Sequence, residues 1–521
     1  MTLYFRLKED NNFYKEGRGA FNMKRKRILK DAILAFLICL NLFLVFQIWF
    51  NTNMFSVDSI SETSKFEEVL IRPVKKLFSP KKEGGFSENL RNLMRPQRII
   101  LNKSNNRAVL YDEDNNYKKI LSYTDDLIRG ILSGKTKINK IETISLDEYC
   151  AVLKRNSIYL DYDNFCDFRL FSAGICGESK NQLSSELSVV RECLLSPADN
   201  TLNNVALYIK DYKTNNIMKY IIDTKKDILE QELTSYFQAH SKESTLNYSF
   251  ELNFHKQESG DGSLVKLVFD PLIIFNLVSS DVRGAETDSE LLYRWPQIQE
   301  EQSSEILGAF KINPMTMRKY TNLTNARVFV ENEATLTLST DGILEYKTIE
   351  GGQGLLIASG EQKNNFDIYN AVSAAVNFVY QVNDELPYDL ISSLRFNSDL
   401  TNTTNQGSYT ISFDLYANGY PILQTDHTTG ENAHCITMKI ENGYLKYYRQ
   451  FIRKYYSNST SLSITPVINA VDGLIDDLNS QNEFLNVLNV GRCYVDLGND
   501  KGLVPQWNIR VEGIDKILTV K

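Results

Sequence analysis

The sequence predicts an α+β fold, with helices packed on antiparallel sheets in several units behind a single N-terminal transmembrane helix. Three observations predict it. Segments with apolar residues at helical spacing are interleaved with short alternating segments bounded by turn residues. A helix followed by antiparallel strands recurs, in pattern without residue identity, within residues 367–521. Only one segment is apolar for long enough to cross a bilayer. At 521 residues, with 42% hydrophobic and 24% charged side chains, the composition is that of a globular chain with room for roughly two to four domains.

The apolar segment comes first. Ala32–Phe50 carries no charge, and as a helix it rises about 28 Å, enough to span the hydrocarbon core. Lys24-Arg25-Lys26-Arg27 precedes it, so the positive-inside rule places residues 1–30 in the cytoplasm and the bulk outside the cell membrane. The run is too long for a cleaved signal peptide, and Asn51-Thr52-Asn53 offers no small-residue cleavage site, so residues 31–51 are expected to be an uncleaved signal anchor. Met23, directly before the basic cluster, is the expected translation start; the alternative is a short cytoplasmic tail. Asn41 lies mid-span, where an unpaired carboxamide is costly and an interhelical hydrogen bond recovers on the order of 0.6–2 kcal/mol. Asn41, and more weakly Gln47 nearer the outer interface, are therefore candidate contacts to a partner helix. The competing reading of Asn41 is a side chain that bonds its own helix backbone.

Residues 52–95 read as a stalk, and 96–280 as an N-terminal extracytoplasmic α/β domain. In it, Arg98–Asn102 and Ala108–Tyr111 form a hairpin, Tyr117–Leu132 a helix, and Ser145 with Glu148 a capping box opening another helix. Ser157–Tyr162, Tyr248–Phe254 and Ser263–Phe269 alternate as strands, and Lys226–His240 is helical. An acidic junction follows at 281–305. Residues 306–450 form a middle α+β domain with strands at 326–331, 334–339 and 343–346, the helix Asp367–Val382, and strands at 409–417, 420–425, 434–440 and 444–450. Residues 451–521 form a C-terminal α+β unit with the helix Pro466–Leu478 and strands Arg492–Leu497 and Leu503–Val511.

The charge distribution excludes nucleic acid as the partner. Residues 1–30 carry nine Lys/Arg against three Asp/Glu, so the net −7 of the chain leaves −13 on the remainder. Catalytic signatures are missing or broken. Gly130–Thr136 has three residues between its glycines where a P-loop has four, and reads as a helix end. Asp112–Asn116 begins like a calcium loop, but Tyr117 and Tyr123 occupy the glycine and glutamate positions, so it reads as a capping turn. His240, His255, His427 and His434 fall in no zinc or triad pattern. Cys150, Cys166, Cys176, Cys193, Cys435 and Cys493 have irregular spacing and are expected to be free thiols, with one bridge among Cys150–Cys193 as the alternative. No catalytic, metal or cofactor site is assigned, and the chain is read as a non-enzyme.

With its basic start, single anchor and long exterior part, the chain resembles the YycH family. The residues that carry the resemblance are Ser145–Tyr149 followed by Ser157–Tyr162, Phe413–Tyr416 with Asn418-Gly419-Tyr420-Pro421-Ile422, Glu441-Asn442-Gly443, and Leu503-Val504-Pro505-Gln506-Trp507-Asn508-Ile509. The bland readings are tight hairpin turns for the Asn-Gly pairs and a core anchor for Trp507. The resemblance implies C-terminal units of PepSY-like or YycI-like kind. It also implies a non-enzymatic accessory of a two-component system, binding a WalK-like (YycG) sensor histidine kinase that controls cell-wall metabolism, and a YycI-like sister protein as a further partner. The alternatives are an extracytoplasmic cell-envelope enzyme or a wall-polymer-binding module held by one helix.

Overall fold

The structure is a computed structural model. It describes residues 85–520 outside a set of internal stretches, chief among them 253–265, 277–286, 398–406 and 472–483. Ala32–Phe50, with Asn41 and Gln47, lies outside the described residues, as do His240, His255 and His427. Among the described residues no helix is long and apolar enough to cross a membrane.

Helix α1 (Phe86–Leu93) opens the described chain, within the stretch expected as a stalk. Its Leu90 and Leu93 are fully buried, and Gly174 lets it approach a neighbouring helix closely, with the Leu90 side chain 3.6 Å from where a Cβ would stand. Strands β1 (Arg98–Lys103) and β2 (Asn106–Leu110) form the expected hairpin, followed by α2 (Asn115–Leu132), β3 (Ile138–Ile144), α3 (Leu146–Leu153) and β4 (Ser157–Asp167). Then come α4 (Phe168–Cys176), β5 (Val189–Pro197), β6 (Val205–Asp211), β7 (Asn216–Ile222) and α5 (Lys226–Ala239). The seven strands make one antiparallel sheet, ordered β2-β1-β4-β5-β6-β7-β3. Strand β1 is buried on both faces: Ile99 and Leu101 pack under α1, α2 and α4, while Ile100 faces Tyr149 and Leu153 of α3. Capping at α3 follows the sequence pattern, with Ser145 Oγ accepting from the Glu148 amide at 3.2 Å. Gly134, with φ 70°, ends α2, so Gly130–Thr136 is a helix terminus.

The next elements are short: β8 (Leu246–Tyr248), β9 (Lys266–Phe269), β10 (Ile274–Asn276), β11 (Thr287–Arg294) and α6 (Glu300–Ala309). Tyr248–Phe254, expected as a strand, is one only to Tyr248; a 3-10 turn takes over at Ser249–Glu251 because the Glu251 carboxylate accepts from the Tyr248 amide at 2.9 Å and pairs with Arg107. The stretch expected as an acidic junction holds β11 and most of α6.

The second sheet draws on β12 (Arg318–Thr321), β13 (Arg327–Glu331), β14 (Ala334–Leu338), β15 (Ile343–Thr348), β16 (Leu355–Leu356), β17 (Leu394–Phe396), β18 (Ser408–Ala417), β19 (Tyr420–Thr425), β20 (Asn432–Ala433), β21 (Ile436–Glu441) and β22 (Tyr444–Phe451). Strand β23 (Lys454–Ser463) pairs with β11, while β24 (Phe484–Asp496), β25 (Pro505–Val511) and β26 (Leu518–Val520) continue the large sheet. Its spine runs β12-β13-β14-β15-β22-β21-β18-β19-β24-β25-β26. Two junctions depart from the antiparallel expectation: β19 and β9 both pair with β24 in parallel. Through the first of them, strands of the two units expected at 306–450 and 451–521 share one sheet.

Helix α7 (Ile368–Asp384), capped by Asp367, covers the inner face of this sheet with Ala371, Val372, Ala375, Val376, Val379 and Val382. These recur on the 3.6 period, and burying each valine is worth about 1.5–3 kcal/mol. A separate cluster of Val467, Ala470, Val471, Trp507 and Ile509 packs at the far end. Only the first residues of the helix expected at Pro466–Leu478 are described; there the Ala470 amide bonds the Pro466 carbonyl. Where β22, β19 and β24 converge, Arg453 and Asp496 form a fully buried pair at 2.6 Å, with the Tyr455 hydroxyl donating to the same carboxylate oxygen at 2.6 Å and Gln424 donating to Tyr455.

Candidate functional site

The seam between the two sheets is built by a turn that the sequence marks for capping. Asp114 takes the N-cap of α2, accepting from the Asn116 amide at 2.7 Å, which leaves Asp112 and Glu113 to face the large sheet. Asp112 pairs with Arg95 at 3.0 Å and also with Arg395 at the start of the β17–β18 hairpin. Arg395 is buried and donates to the Leu394 carbonyl at 2.7 Å; burial, with the charge of Arg95, pulls its pKa below the ordinary value. Glu113 accepts from the Asn418 amide at 2.5 Å. Asn418 and Gly419 have φ of 52° and 78°, the left-handed pair of a tight hairpin. Gly419 has a second reason to be glycine, since a Cβ there would stand 2.4 Å from the Tyr111 Cβ. Tyr111 and Tyr420 meet edge to face at 5.1 Å, and the Asn418 amide group donates to the Tyr494 hydroxyl at 3.0 Å. A further bridge joins Arg169 of α4 to Asp367, the cap of α7, at 2.7 Å.

Deeper in the seam two irregular strands meet. Strand β4 shifts register between Asp161 and Cys166, and β24 between Val487 and Asn489. Such bulges re-aim side chains, and here the Asn489 amide group donates to Asp163, itself at φ 62°. Asp161 lies between Arg98, at 2.9 Å, and Arg191, at 3.9 Å. Burial alone would raise its pKa, but the two guanidinium groups and the Asp163 amide outweigh it and hold the carboxyl below its usual range. Opposite Asp161 in the β4–β5 register is Glu192. Burial pushes its pKa up to about 7 against the pull of Arg191, Lys210 and the Tyr212 hydroxyl, while Asp270 adds to the rise. That hydroxyl donates to Oε2 at 2.5 Å; Oε1 is buried with no hydrogen-bond partner among the described residues.

The space available decides what the seam can do. The cavity at its mouth, lined by Leu93, Met94, Tyr162, Phe396 and Tyr416, holds about 20 Å³, room for a water molecule and no more. The seam is thus a contact between packed bodies. A larger hollow, about 590 Å³, lies on the outer face of the large sheet, where β15, β22, β21 and β18 align Lys347, Tyr447, Lys439 and Thr410 in one cross-strand row. Lys446, on the groove wall, donates to the Gly352 carbonyl at 2.7 Å. Among the described residues no three His, Cys, Asp or Glu side chains are grouped to hold a metal ion. His434 is paired to Asp414 at 3.0 Å; burial lowers its pKa, but the Asp414 charge and hydrogen bond prevail and the net direction is upward. The six described cysteines are all unbridged, and Cys176 is the one among them not buried.

No protein-family model matches the chain, and no curated protein matches it in sequence. In structure it matches YycH from Bacillus subtilis over 83% of this chain and 97% of that one, with a TM-score of 0.51 and 12% identity. The fold is that of YycH. At such low identity the likeness concerns the fold alone, and at that level the YycH resemblance read from the sequence holds. The segments that carried it have clear structural duties. Tyr149 is fully buried behind its Ser145 cap, Asn418-Gly419 docks the large sheet onto Tyr111, and Asn442-Gly443 makes the tight β21–β22 turn at φ 47° and 84°. Trp507 packs under the Arg492 guanidinium, 5.4 Å from its ring.

The seam residues are what sequence reasoning missed. Asp112 was legible only as part of a turn, and its partner Arg395 stands 283 residues away. Glu192 has a local signal, being a lone carboxylate in the otherwise apolar run Cys193–Leu195 and Val189–Val190 beside Arg191.

Proposed function

We propose that this chain is a non-enzymatic regulator of a two-component system, anchored in the cell membrane by residues 31–51 and carrying its bulk outside. It binds and modulates a WalK-like sensor histidine kinase, with a YycI-like sister protein as a further partner. The observation that carries the reading is the YycH fold, which spans 83% of this chain and nearly the whole of its neighbour. The basic-then-apolar N-terminus supports the anchor, and the packed seam supports a relay made of contacts rather than chemistry. On this reading Asn41 and Gln47 face the partner helix, and the repeated helix-and-strand pattern after residue 367 corresponds to PepSY-like or YycI-like units.

The test is cross-linking in native membranes followed by affinity capture of this chain. Recovery of a sensor histidine kinase is the expected result. Capture of wall polymer with no kinase would instead favour the binding-module reading, which the open groove beside Lys347, Lys439 and Tyr447 supports. Turnover of wall fragments abolished by one point substitution would overturn the non-enzyme assignment.

A further inference from the structure

The edge hairpin β12–β13 presents apolar side chains to solvent on fixed turns. Met315 is 90% exposed, Leu323 fully exposed and Tyr320 52% exposed. Each turn is held by an asparagine. Asn322 Oδ1 accepts from the Thr324 amide at 3.0 Å, the Thr324 hydroxyl at 2.8 Å and the Ala326 amide at 2.9 Å, which sets Leu323 at the apex. Asn313 Oδ1 accepts from the Met315 amide at 2.9 Å, and Glu331 grips the same turn through the Asn313 amide at 2.6 Å and the Thr316 hydroxyl at 2.5 Å. Between these turns all four residues of β12 are exposed, and β12 ends the spine of the sheet.

The charge around these side chains is unlike the acidic balance of the chain beyond residue 30. No Asp or Glu occurs between Glu305 and Glu331, whereas Lys311, Arg318, Lys319 and Arg327 do. Arg327 turns inward to Ser303, and Lys311 reaches the Leu356 carbonyl from an exposed position. The body of the chain is acidic, so this basic stretch is a local feature; the acid beside it, Glu331, is engaged with the Asn313 amide and the Thr316 hydroxyl.

We propose that this hairpin is a lipid-docking edge, whose Met315, Tyr320 and Leu323 enter the headgroup and acyl boundary of a bilayer while Lys311, Arg318 and Lys319 meet anionic headgroups. Three considerations favour lipid over a protein occupant. A protein hot spot needs a clustered, jointly desolvated anchor set, whereas interfacial partition acts on single side chains set in a basic rim. Arg318 and Lys319 on the strand are the residues that discourage pairing with another strand, which disfavours β-addition. Each basic side chain near an anionic surface is worth about five-fold in partition.

The test uses the full chain reconstituted in nanodiscs of phosphatidylcholine, alone or mixed with phosphatidylglycerol, each with brominated acyl chains as quencher. Because this arrangement rests on the proposed anchor, Trp49 serves as its own reporter: Trp295 and Trp507 also fluoresce, so quenching that the parent chain shows and a Trp49→Phe chain lacks marks an inserted anchor. The hairpin is read separately, from the fluorescence that Leu323→Trp adds over the parent. The expected result is quenching of this added signal in the phosphatidylglycerol discs and its loss in phosphatidylcholine. Arg318→Gln with Lys319→Gln should weaken the hairpin's partition roughly 25-fold while leaving Trp49 quenched. Quenched Trp49 with an unquenched added signal in both lipids overturns the proposal. So does a Met315→Asp, Leu323→Asp chain that loses kinase cross-linking with no lipid-dependent change, which would make the hairpin a protein contact.

Discussion

Glu192→Gln tests the electrostatics of the seam. The groups around this carboxyl are Arg191 beside it in the chain, Lys210 of β6, Tyr212 just beyond it, Tyr159 and Asp161 of β4, Tyr149 of α3, and Asp270 at the end of β9. Burial raises its pKa from the ordinary 4.5 to about 7. Below 4.5 the acid is protonated in both folded and unfolded chains and has no effect. Between 4.5 and 7 the unfolded chain releases the proton while the folded chain keeps it, so stability falls as pH rises, and above about 7 the loss is complete. A rise of this size corresponds to about 3 kcal/mol, most of which falls between pH 5 and pH 8. Glutamine keeps the acceptor for Tyr212 and never ionises. Its amide donors cost about 1 kcal/mol if they stay unpaired, so the variant should be about 2 kcal/mol more stable than the parent at pH 8 and no more stable at pH 5. Urea denaturation of residues 83–521 at pH 5, 6, 7 and 8 measures this. Parallel pH profiles for parent and variant would refute the reasoning.

Further substitutions probe other contacts. Asp112→Ala leaves the buried Arg395 without its carboxylate and should cost about 3 kcal/mol in the same assay; a loss below about 0.5 kcal/mol would mark the pair as a surface contact. Gly419→Ala forces a left-handed φ and a clash with Tyr111, so its thermal midpoint should drop, and Tyr111→Ala in the same chain should restore part of the loss. Asn41→Leu should leave insertion and expression intact while weakening in-membrane cross-linking to a kinase and shifting its output; unchanged cross-linking and output would remove the docking role. Intact mass of the folded protein should be the same with and without reductant, and a thiol reagent should modify Cys176 before the five buried cysteines.

What was legible in the sequence was local. The hairpin at Arg98–Leu110, the helix ending at Leu132, the Ser145 cap and the strands from Ser408 to Phe451 each announce themselves through spacing and turn chemistry within a few residues. Strand β3 did not, because Lys140 and Glu142 sit on an exposed edge and break the apolar alternation. Strand β5 is buried on both faces, with Arg191 and Glu192 interrupting its apolar residues, and a run of that kind has no period to read. Helix α1 is too short to stand out from a polar stretch, and its two leucines are explained only by the groove that Gly174 leaves for them. The seam was illegible for a further reason: Asp112, Arg395, Asp163 and Asn489 are ordinary polar residues until the fold brings distant turns together.

Strands β9 and β11 leave the ribosome midway through synthesis, yet their hydrogen-bond partners are β24 and β23, more than 150 residues further on. Domains made in order of synthesis normally close before the next begins. Here the first sheet can close on its own strands, whereas β9 and β11 must wait for residues 454–496, a long-range closure of the kind that slows folding. During that wait two short strands stand with open edges, an invitation to pair wrongly. The final stretch of the polypeptide therefore works as a clasp. A truncation after Phe451 would remove no part of the first sheet, but it would strip β9 and β11 of their partners and expose Leu291, which is buried in the intact protein.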